Sequence, residues 1–256
     1  MLKNKLRNKA YSIGSWLSSG STVIADVMTI SGIEWLVIDH EHTCVDFSQI
    51  QELIVQIQKN GVDALVRVAK NDEVFIKKSL DAGANGVVVP MVKNLAEAKA
   101  AIDFCFYPPY GKRGVGLFKA QRYGYEFDEY VQGHVKNTTL ILQVEHIDIL
   151  KDLEEIAKLE HIDGFIVGPF DFSASMGKPG KFDDQDVVEA LGRVEKIILN
   201  SKKSLGFHII QPNADLVFAK RKLGYNFFAF SIDFLLIGNL LREKMAQLTG
   251  KDNGNA

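Results

Sequence analysis

The chain has few of the features that mark specialised protein classes. Its 256 residues include only two cysteines, Cys44 and Cys105, which excludes a disulfide framework and fits a reducing compartment. The net charge of −2 shows no basic excess for binding nucleic acid or an anionic membrane. The most apolar segment, residues 227–241, is interrupted by Asp233 and Asn239 and is too short to span a bilayer.

A secretion signal and several common catalytic motifs are also missing. The first nine residues include four basic ones, but the uninterrupted apolar stretch of a signal peptide does not follow. The sequence has no GxGxxG after the first predicted strand, no P-loop, no GxSxG elbow and no HExxH motif. We therefore expect a cytoplasmic protein whose chemistry does not depend on any of these motifs.

Short β-rich runs alternate along the chain with longer segments of helical periodicity. Several of the runs consist almost entirely of Val, Ile, Leu or Phe, as in strands that are covered on both faces. The alternation predicts a (β/α)8 TIM barrel, with a doubly wound open sheet as the alternative fold. The predicted strands are residues 12–16, 35–39, 64–68, 86–90, 140–144, 164–168, 206–210 and 227–231. Helical periodicity is clear at residues 47–61, 71–86 and 94–104.

The pattern continues without a linker or a low-complexity segment. We therefore expect a single barrel domain over residues 1–250, followed by a disordered tail at 251–256. One long connection, residues 107–127, separates the fourth and fifth predicted strands and is rich in Gly, Pro and aromatic residues. A connection of that length in a compact domain favours a functional loop.

Two acidic residues follow predicted strands directly. Glu145 ends LILQVE and Asp171 ends DGFIVGPFD, so both are expected at the carboxyl face of the barrel, where TIM-barrel enzymes carry their active sites. Two carboxylates with water in the remaining positions suit a hard divalent cation. The alternative is that Asp171 caps the next helix while Glu145 is solvated.

Two histidines follow the second predicted strand, in the turn DHEHTC. A single histidine at this face is a candidate general base, because an unperturbed imidazole titrates near neutrality. The pair His40 and His42 is also compatible with a zinc site, although no third histidine or cysteine at suitable spacing supports it. A solvated loop histidine is the remaining interpretation.

Three further charged residues are candidates for function. Arg67 lies in the apolar strand ALVRV, where it either pairs with a nearby acid or binds an anionic substrate group. Asp81 closes a predicted helix, where a negative charge opposes the helix dipole. Lys70 stands just past the third strand, where a Schiff-base lysine could lie, but its polar surroundings favour a solvated turn.

Six segments together resemble the HpcH/HpaI aldolase family, the 2-dehydro-3-deoxyglucarate or 4-hydroxy-2-oxoheptanedioate aldolase type. The resemblance implies a barrel of the pyruvate/phosphoenolpyruvate-binding type and a class II aldolase that reversibly cleaves a 4-hydroxy-2-oxo acid to pyruvate and an aldehyde. It also implies Mg²⁺, Mn²⁺ or Co²⁺ as cofactor and a homohexamer, a dimer of trimers that exchanges terminal helices. The segments are WLVIDHEH (35–42), LVRVAKND (65–72), residues 79–102, YPPYGKRGVG (107–116), LQVE (142–145) and residues 163–180.

The family roles transfer residue by residue onto matching positions. Glu145 and Asp171 correspond to the metal ligands, and His42 corresponds to the catalytic base. Arg67 corresponds to the arginine at the pyruvate keto oxygen. Asp81 corresponds to an aspartate that reaches the histidine of a neighbouring subunit. The resemblance also implies a substrate-binding role for the residues that border the pyruvate half, which are Arg67, Gln143, Phe170 and Asp171.

Three departures from the family pattern concern the same face. His40 stands where the family has glycine, Phe170 stands where it has a small residue, and residues 117–127 differ from the usual Ser/Ala/Arg-rich stretch. The pyruvate half of the site is therefore expected to be intact, whereas the aldehyde is not defined. Two alternatives remain open, a CoA-ester lyase of the same barrel superfamily and a non-catalytic barrel with a binding role.

Overall fold

The computed structural model describes residues 1–250, which form a closed barrel of eight parallel strands surrounded by helices. Each strand pairs with the next one along the chain, and the eighth closes the barrel on the first. This confirms the predicted (β/α)8 barrel and excludes the open sheet. The predicted disordered tail lies outside the described residues. The strands are β1 (Ser12–Leu17), β2 (Trp35–Asp39), β3 (Asp63–Arg67), β4 (Gly86–Val89), β5 (Thr139–Val144), β6 (Gly164–Val167), β7 (Ser204–Ile209) and β8 (Phe227–Ile232).

The helices begin and end where the sequence supplies caps. Asp46 and Gln49 form a reciprocal capping box at the start of α3. The predicted helix over 71–86 ends earlier, at Asp81, because Gly83 adopts a φ of +96° that stops it. Within residues 1–250, none of the helices is both apolar and long enough to cross a membrane. They are α1 (Leu2–Arg7), α2 (Thr22–Thr29), α3 (Phe47–Lys59), α4 (Glu73–Asp81), α5 (Leu95–Cys105), α6 (Phe127–Asn137), α7 (Leu153–Ile156), α8 (Pro169–Ser175), α9 (Gln185–Leu199), α10 (Ala214–Lys222) and α11 (Asp233–Thr249), with 3₁₀ helices at Lys119–Gly124 and Ile147–Lys151.

The strands are buried on both faces, which explains their nearly continuous apolar sequences. In β2, Leu36 and Ile38 join the large cluster between the barrel and its helices, whereas Trp35 and Val37 join a smaller cluster inside the barrel. Successive side chains of a strand point to opposite faces, so each apolar run supplies both layers.

Large aromatic side chains fill the amino-terminal half of the barrel interior. Trp35 and Phe227 meet there with their ring centroids 6.2 Å apart. The neighbouring positions on β1 and β7 must therefore be glycine. A Cβ atom on Gly14 would lie 2.1 Å from the Trp35 ring, and one on Gly206 would lie 2.4 Å from Phe227. Close packing closes this end of the barrel.

Helix α1 covers the same end of the barrel. Leu2 and Leu6 pack into the inner cluster, which places Lys3 in a buried position. The Lys3 ammonium donates to Asp163 Oδ2 over 2.7 Å and to a backbone carbonyl, and Arg7 Nε lies 3.2 Å from the other carboxylate oxygen. Burial lowers the pKa of Lys3 from its usual value, against the opposing effect of Asp163.

Replacing Lys3 by methionine should destabilise the protein by about 3 kcal/mol, because the Asp163 carboxylate would stay buried with its main partner removed. Urea denaturation at fixed protein concentration measures the change. Lys5→Met is the matched control on the same helix, since the Lys5–Glu34 pair is partly exposed and worth less than about 1 kcal/mol. Equal losses in both variants would contradict the importance of the buried pair.

Candidate active site

Charged side chains gather at the carboxyl ends of four strands. Asp39 ends β2 and Arg67 ends β3, and the two residues are paired in register across those strands. Glu145 directly follows β5, and Asp171 lies in the first turn of α8, after β6. The structure therefore brings Arg67, Glu145 and Asp171 to one rim of the barrel, the face on which the sequence predicted them.

Arg67 is held from three directions. Its Nε and Nη2 donate to the two carboxylate oxygens of Asp39 over 2.9 and 2.7 Å, and its Nη1 lies 3.2 Å from Glu41 Oε2. The guanidinium carbon also lies 4.5 Å from the centre of the Trp16 ring. Burial would raise the pKa of Asp39, but the Arg67 guanidinium outweighs that effect and the pKa is lowered. Asp39 is thus an ionised anchor for the arginine.

Glu145 is the most deeply buried acid of the rim, with 2% of its surface exposed. Its Oε1 accepts a hydrogen bond of 2.6 Å from the backbone N–H of Met91, a residue held at a φ of +54°. Burial raises the pKa of Glu145 to about 7, and the negative charges of Glu41 and Asp171 add to this shift. This carboxyl group therefore holds its proton to higher pH than an ordinary glutamate.

Glu41 is the third acid of the same cluster. Burial raises its pKa to about 7 as well, Arg67 opposes the shift, and the charges of Asp39 and Asp171 reinforce it. Its Oε2 lies within ion-pair distance of Arg67 but has no aligned hydrogen bond. The cluster therefore contains more negative charge than its single arginine balances.

The donors at this rim fit a hard divalent cation better than zinc. Residues 1–250 contain no group of three or more His, Cys, Asp or Glu side chains placed to hold a metal. Glu145 and Asp171 supply oxygen atoms, and the buried Gln143 has an Oε1 without a hydrogen-bond partner. Gly168 leaves the space between them open, since a Cβ there would lie 3.0 Å from Gln143 Nε2 and 3.2 Å from Glu145 Oε2. Oxygen donors completed by water are the coordination that Mg²⁺ and Mn²⁺ prefer.

The two histidines of the DHEH turn have different surroundings. The His40 ring packs edge-on against Phe47 and Phe75, at centroid distances of 4.7 and 5.4 Å, and burial lowers its pKa. The side chain of His42 is 62% exposed, with Nε2 3.6 Å from Glu41 Oε2. His40 thus serves the packing of α3 and α4, which gives no support to an H-x-H zinc pair, whereas His42 is open to solvent beside the acid cluster.

Asp81 and Phe170 lie outside the charged cluster. Asp81 is the last residue of α4, which runs back toward the amino ends of the strands, so the structure does not bring it to His42 of the same chain. Its carboxylate pairs with Arg113 over 2.6 Å. Phe170 is half exposed beside Asp171 and packs edge-on against Phe182 at 4.8 Å. The Phe170 ring therefore packs on a neighbouring loop. The backbone N–H of Phe170 lies in the first turn of α8.

Comparison with known families and proteins shows which family the chain belongs to. The model of the HpcH/HpaI aldolase/citrate lyase family matches residues 12–239, which is most of the chain. The protein belongs to the HpcH/HpaI aldolase/citrate lyase family. A 2-dehydro-3,6-dideoxy-6-sulfogluconate aldolase from Pseudomonas putida is 32% identical over 247 residues, which cover 96% of each chain. A 2-keto-3-deoxy-L-rhamnonate aldolase from Escherichia coli strain 536 is 34% identical over 257 residues, covering 98% of this chain and 94% of the relative.

Solved structures agree with this assignment. An HpcH/HpaI aldolase/citrate lyase family protein from Burkholderia cenocepacia J2315 matches with a TM-score of 0.91 and 28% identity, over 97% of this chain and 98% of the other. The citrate synthase SbnG shares the fold, with a TM-score of 0.87 at 22% identity. The relatives confirm the family predicted from the sequence and make this chain a carbon–carbon lyase of the aldolase type.

Sequence reasoning missed several parts of this aldolase's site. Glu41 was visible between Asp39 and His42, but only the fold reveals that it shares the environment of Glu145 and Asp171. The sequence gave no recognisable signal for two further contacts. These are the packing of Trp16 against Arg67 and the hydrogen bond from the Met91 N–H to Glu145, and both depend on how the strands assemble into the barrel.

The metal-free aldolase should lose stability as pH rises from about 5 to about 8. The folded pKa of Glu145 is about 7, against 4.5 for the ordinary carboxyl group. Within that window the folded state holds a proton that the unfolded state has released, so the free energy of unfolding falls, by up to about 3 kcal/mol for this group. Thermal melting of chelator-treated protein across this range measures the effect.

Glu145→Gln should reduce that pH dependence without abolishing it, because the amide has no proton to release whereas Glu41, whose pKa is also raised, remains. Glu129→Gln, which changes an exposed acid in the first turn of α6, should leave it unchanged. Added Mg²⁺ or Mn²⁺ should raise the melting temperature more at pH 8 than at pH 5, since the metal competes with protons for the carboxylates. A Glu145→Gln variant with the pH profile of the parent would refute the assignment.

Proposed function

We propose that this protein is a metal-dependent class II aldolase that reversibly cleaves a 4-hydroxy-2-oxo acid to pyruvate and an aldehyde. The observation that carries the proposal is the buried Glu145, grouped with Asp171 and Glu41 opposite Arg67 at the carboxyl end of the barrel. Glu145 is buried, Glu41 is partly buried and Asp171 is exposed, so the two other acids crowd negative charge around a buried carboxyl group, which is costly unless a cation offsets it. We also propose that the reaction takes place in the cytoplasm.

Glu145 and Asp171 are the proposed ligands of the cation, with Gln143 beside them. When bound, Mg²⁺, Mn²⁺ or Co²⁺ supplies Lewis acidity that polarises the keto group of pyruvate and acidifies its methyl group. The hydrogen bond from Met91 fixes Glu145 Oε1 and leaves Oε2 toward Gly168, where no side chain obstructs it. The carboxylate is thus oriented before any ligand arrives.

Arg67 is the proposed donor to the keto oxygen of pyruvate. A guanidinium has five N–H groups, and Asp39 occupies only Nε and one hydrogen of Nη2. Nη1 lies 3.2 Å from Glu41 Oε2 without an aligned hydrogen bond, so its hydrogens and the second hydrogen of Nη2 can bind the oxygen on which negative charge develops as the enolate forms. Because Asp39 and Trp16 already fix the guanidinium plane, little reorganisation accompanies that step.

His42 is the proposed general base. A nitrogen of its imidazole removes a proton from the pyruvate methyl group, and the resulting enolate carbon attacks the aldehyde carbon to form the new bond. The protonated His42 returns that proton to the aldehyde oxygen, which becomes the 4-hydroxyl group, and cleavage follows the same steps in reverse. The exposure of His42 at the rim leaves it accessible to a substrate that enters from solvent.

The first turn of α8 is the proposed contact for the pyruvate carboxylate. The backbone N–H groups of Phe170 and Asp171 are among those that a helix leaves without an internal partner. Phe170 also borders the outer side of the site, where the aldehyde half is expected. Its half-exposed ring is compatible with an apolar contact to that half.

We further propose a homohexamer, a dimer of trimers with exchanged terminal helices. The support is a set of exposed apolar side chains along α11, since contiguous exposed apolar surface marks interaction sites. Its members are Phe234, Ile237, Leu240, Leu241, Met245 and Leu248.

Deuterium exchange into the methyl group of pyruvate, followed by NMR, tests the enolising half-reaction without knowledge of the aldehyde. The metal-stripped protein should exchange slowly and the Mn²⁺- or Mg²⁺-loaded protein rapidly. Glu145→Ala and Asp171→Ala should each lower the metal-dependent rate by at least about 10²-fold. Glu129→Ala is the control, and unchanged exchange in both site variants would refute the proposed ligands.

Arg67→Lys should lower the exchange rate by about 10²- to 10³-fold, because an ammonium can neither chelate Asp39 nor present a second fixed donor to the enolate oxygen. The same NMR assay at saturating pyruvate measures it. Lys70→Arg, a charge-conserving change in the solvated turn after β3, should leave the rate unchanged. A fully active Arg67→Lys variant would show that the guanidinium does not contact the developing charge.

A further inference from the structure

His208 is a polar side chain inside the barrel that the proposed mechanism leaves without a role. Its neighbours on β7, Phe207 and Ile209, join the large cluster between the barrel and its helices, so His208 points to the interior. Its ring centroid lies 5.1 Å from that of Trp16 on β1. Burial lowers the pKa of His208 to about 3, and the charge of Arg67 adds to this shift, so the imidazole is neutral at physiological pH.

His208 belongs to a layer of four side chains that all carry hydrogen-bonding groups. In a closed barrel of eight strands, alternate strands supply the four interior side chains of a layer. Trp16 of β1, Arg67 of β3, Gln143 of β5 and His208 of β7 form the layer next to the charged rim. Apolar side chains fill the interior toward the amino ends of the strands. The layer is therefore polar on the side from which a substrate approaches.

Three members of this layer have a buried polar atom that makes no hydrogen bond within residues 1–250. These atoms are Trp16 Nε1, Gln143 Oε1 and His208 Nε2. Gln143 lies beside the proposed cation, whereas the other two atoms have no assigned partner. Because unpaired polar groups in a protein interior are costly, they indicate a polar group of a ligand that completes their hydrogen bonds. His208 is partly exposed, so a substrate can reach its ring.

The proposed contacts of pyruvate direct its third carbon toward His208 and Trp16. The carboxylate is assigned to the first turn of α8, after β6, and the keto oxygen is assigned to Arg67 on β3. The three substituents of a keto carbon diverge in one plane, so the third carbon points away from both contacts, toward β7, β8, β1 and β2. His42 follows β2 on the same side, in agreement with its proposed role as the base for that carbon.

We propose that His208 selects a 2-oxo acid with a hydroxyl group on its third carbon as the nucleophilic substrate of this aldolase. This inference rests on the proposed function and extends it from pyruvate to a 3-hydroxylated donor. A hydroxyl group both donates and accepts, so it can pair with Nε2 in either tautomer of the neutral imidazole. The indole N–H of Trp16 is a second donor in the same part of the layer.

The reaction with this donor follows the same steps as with pyruvate. His42 removes a proton from the hydroxyl-bearing third carbon, and the resulting enolate carbon forms a bond to the aldehyde carbon. The proton then passes from His42 to the aldehyde oxygen. The product is a 3,4-dihydroxy-2-oxo acid, and its cleavage returns the hydroxylated donor and the aldehyde.

Hydroxypyruvate and 2-oxobutanoate are a matched pair of donors for testing this selectivity. They differ only in whether the third carbon carries a hydroxyl or a methyl group. A site built to hydrogen-bond a hydroxyl discriminates strongly against the analogue that lacks it, because its buried polar groups are then left unpaired. The protein should therefore favour hydroxypyruvate through His208.

Deuterium exchange at the third carbon, followed by NMR with the Mg²⁺- or Mn²⁺-loaded protein, measures the preference. His208→Leu should lower the ratio of the hydroxypyruvate rate to the 2-oxobutanoate rate by at least about tenfold relative to the parent. The intrinsic acidities of the two donors cancel in that comparison. His208→Gln, which keeps a hydrogen-bonding side chain, should retain most of the parental ratio. His161→Leu is the control, because this partly buried histidine precedes β6 at the opposite end of the barrel.

The ¹⁵N NMR spectrum of the histidine side chains provides a readout that does not depend on turnover. The His208 signal is identified by its loss in His208→Gln. Hydroxypyruvate should shift this signal more than 2-oxobutanoate does at equal saturation, because only the hydroxyl group forms a hydrogen bond to the ring. Melting temperatures establish that each variant folds.

The outcomes separate this inference from the proposed function. If pyruvate exchanges but His208→Leu keeps the parental ratio of the two rates, the inference is overturned while the aldolase function stands. An equal fall of the ratio in His161→Leu, or an equal shift of the His208 signal by both donors, would overturn it as well. If the unmodified protein exchanges none of the three acids, the proposed function fails first and this inference fails with it.

Discussion

Asp39 and Arg67 face each other in register at the ends of β2 and β3, and their two-point contact is the interaction on which the charged rim depends. It keeps the Arg67 guanidinium oriented at the end of the barrel interior, with both carboxylate oxygens of Asp39 bound to it. The guanidinium then moderates the repulsion that Glu41 experiences from the other carboxylates. Without the arginine of that pair, the carboxyl groups of the rim would face one another with no positive charge among them, and the pKa of Glu41 would be raised further.

The rim carries more carboxyl groups than its one arginine can balance, and this imbalance bears on the proposed chemistry. Glu41 and Glu145 both have pKa values of about 7, so a small change in their surroundings alters their protonation near neutral pH. Perturbed carboxyl groups of this kind cluster at functional sites. The barrel tolerates the unfavourable electrostatic energy of these carboxyl groups because its stability comes from apolar packing. Apolar side chains cover both faces of the strands, and aromatic rings fill the amino-terminal half of the interior.

The sequence was sufficient for the barrel and for the rim positions of Arg67, Glu145 and Asp171, because strand periodicity fixes which residues stand at strand ends. It was insufficient for contacts made by closing the barrel, such as Trp16 under Arg67, which join strands distant in sequence. The sequence marked Asp81 as unusual for a helix end, but nothing in it pointed to Arg113 as the partner of that carboxylate. Local sequence patterns predict the helices and strands and the face on which each side chain lies. Contacts between residues that a long connection separates are visible only in the folded chain.

Trp35 packs against Phe227, with α1 beneath them, and together they close the amino-terminal end of the barrel. Phe170 and His42 are exposed at the opposite end, so in the proposed reaction the substrates approach the charged rim from that side. A substrate that occupies the deeper position then has to arrive first and leave last, because the packed aromatic rings leave it no other way out.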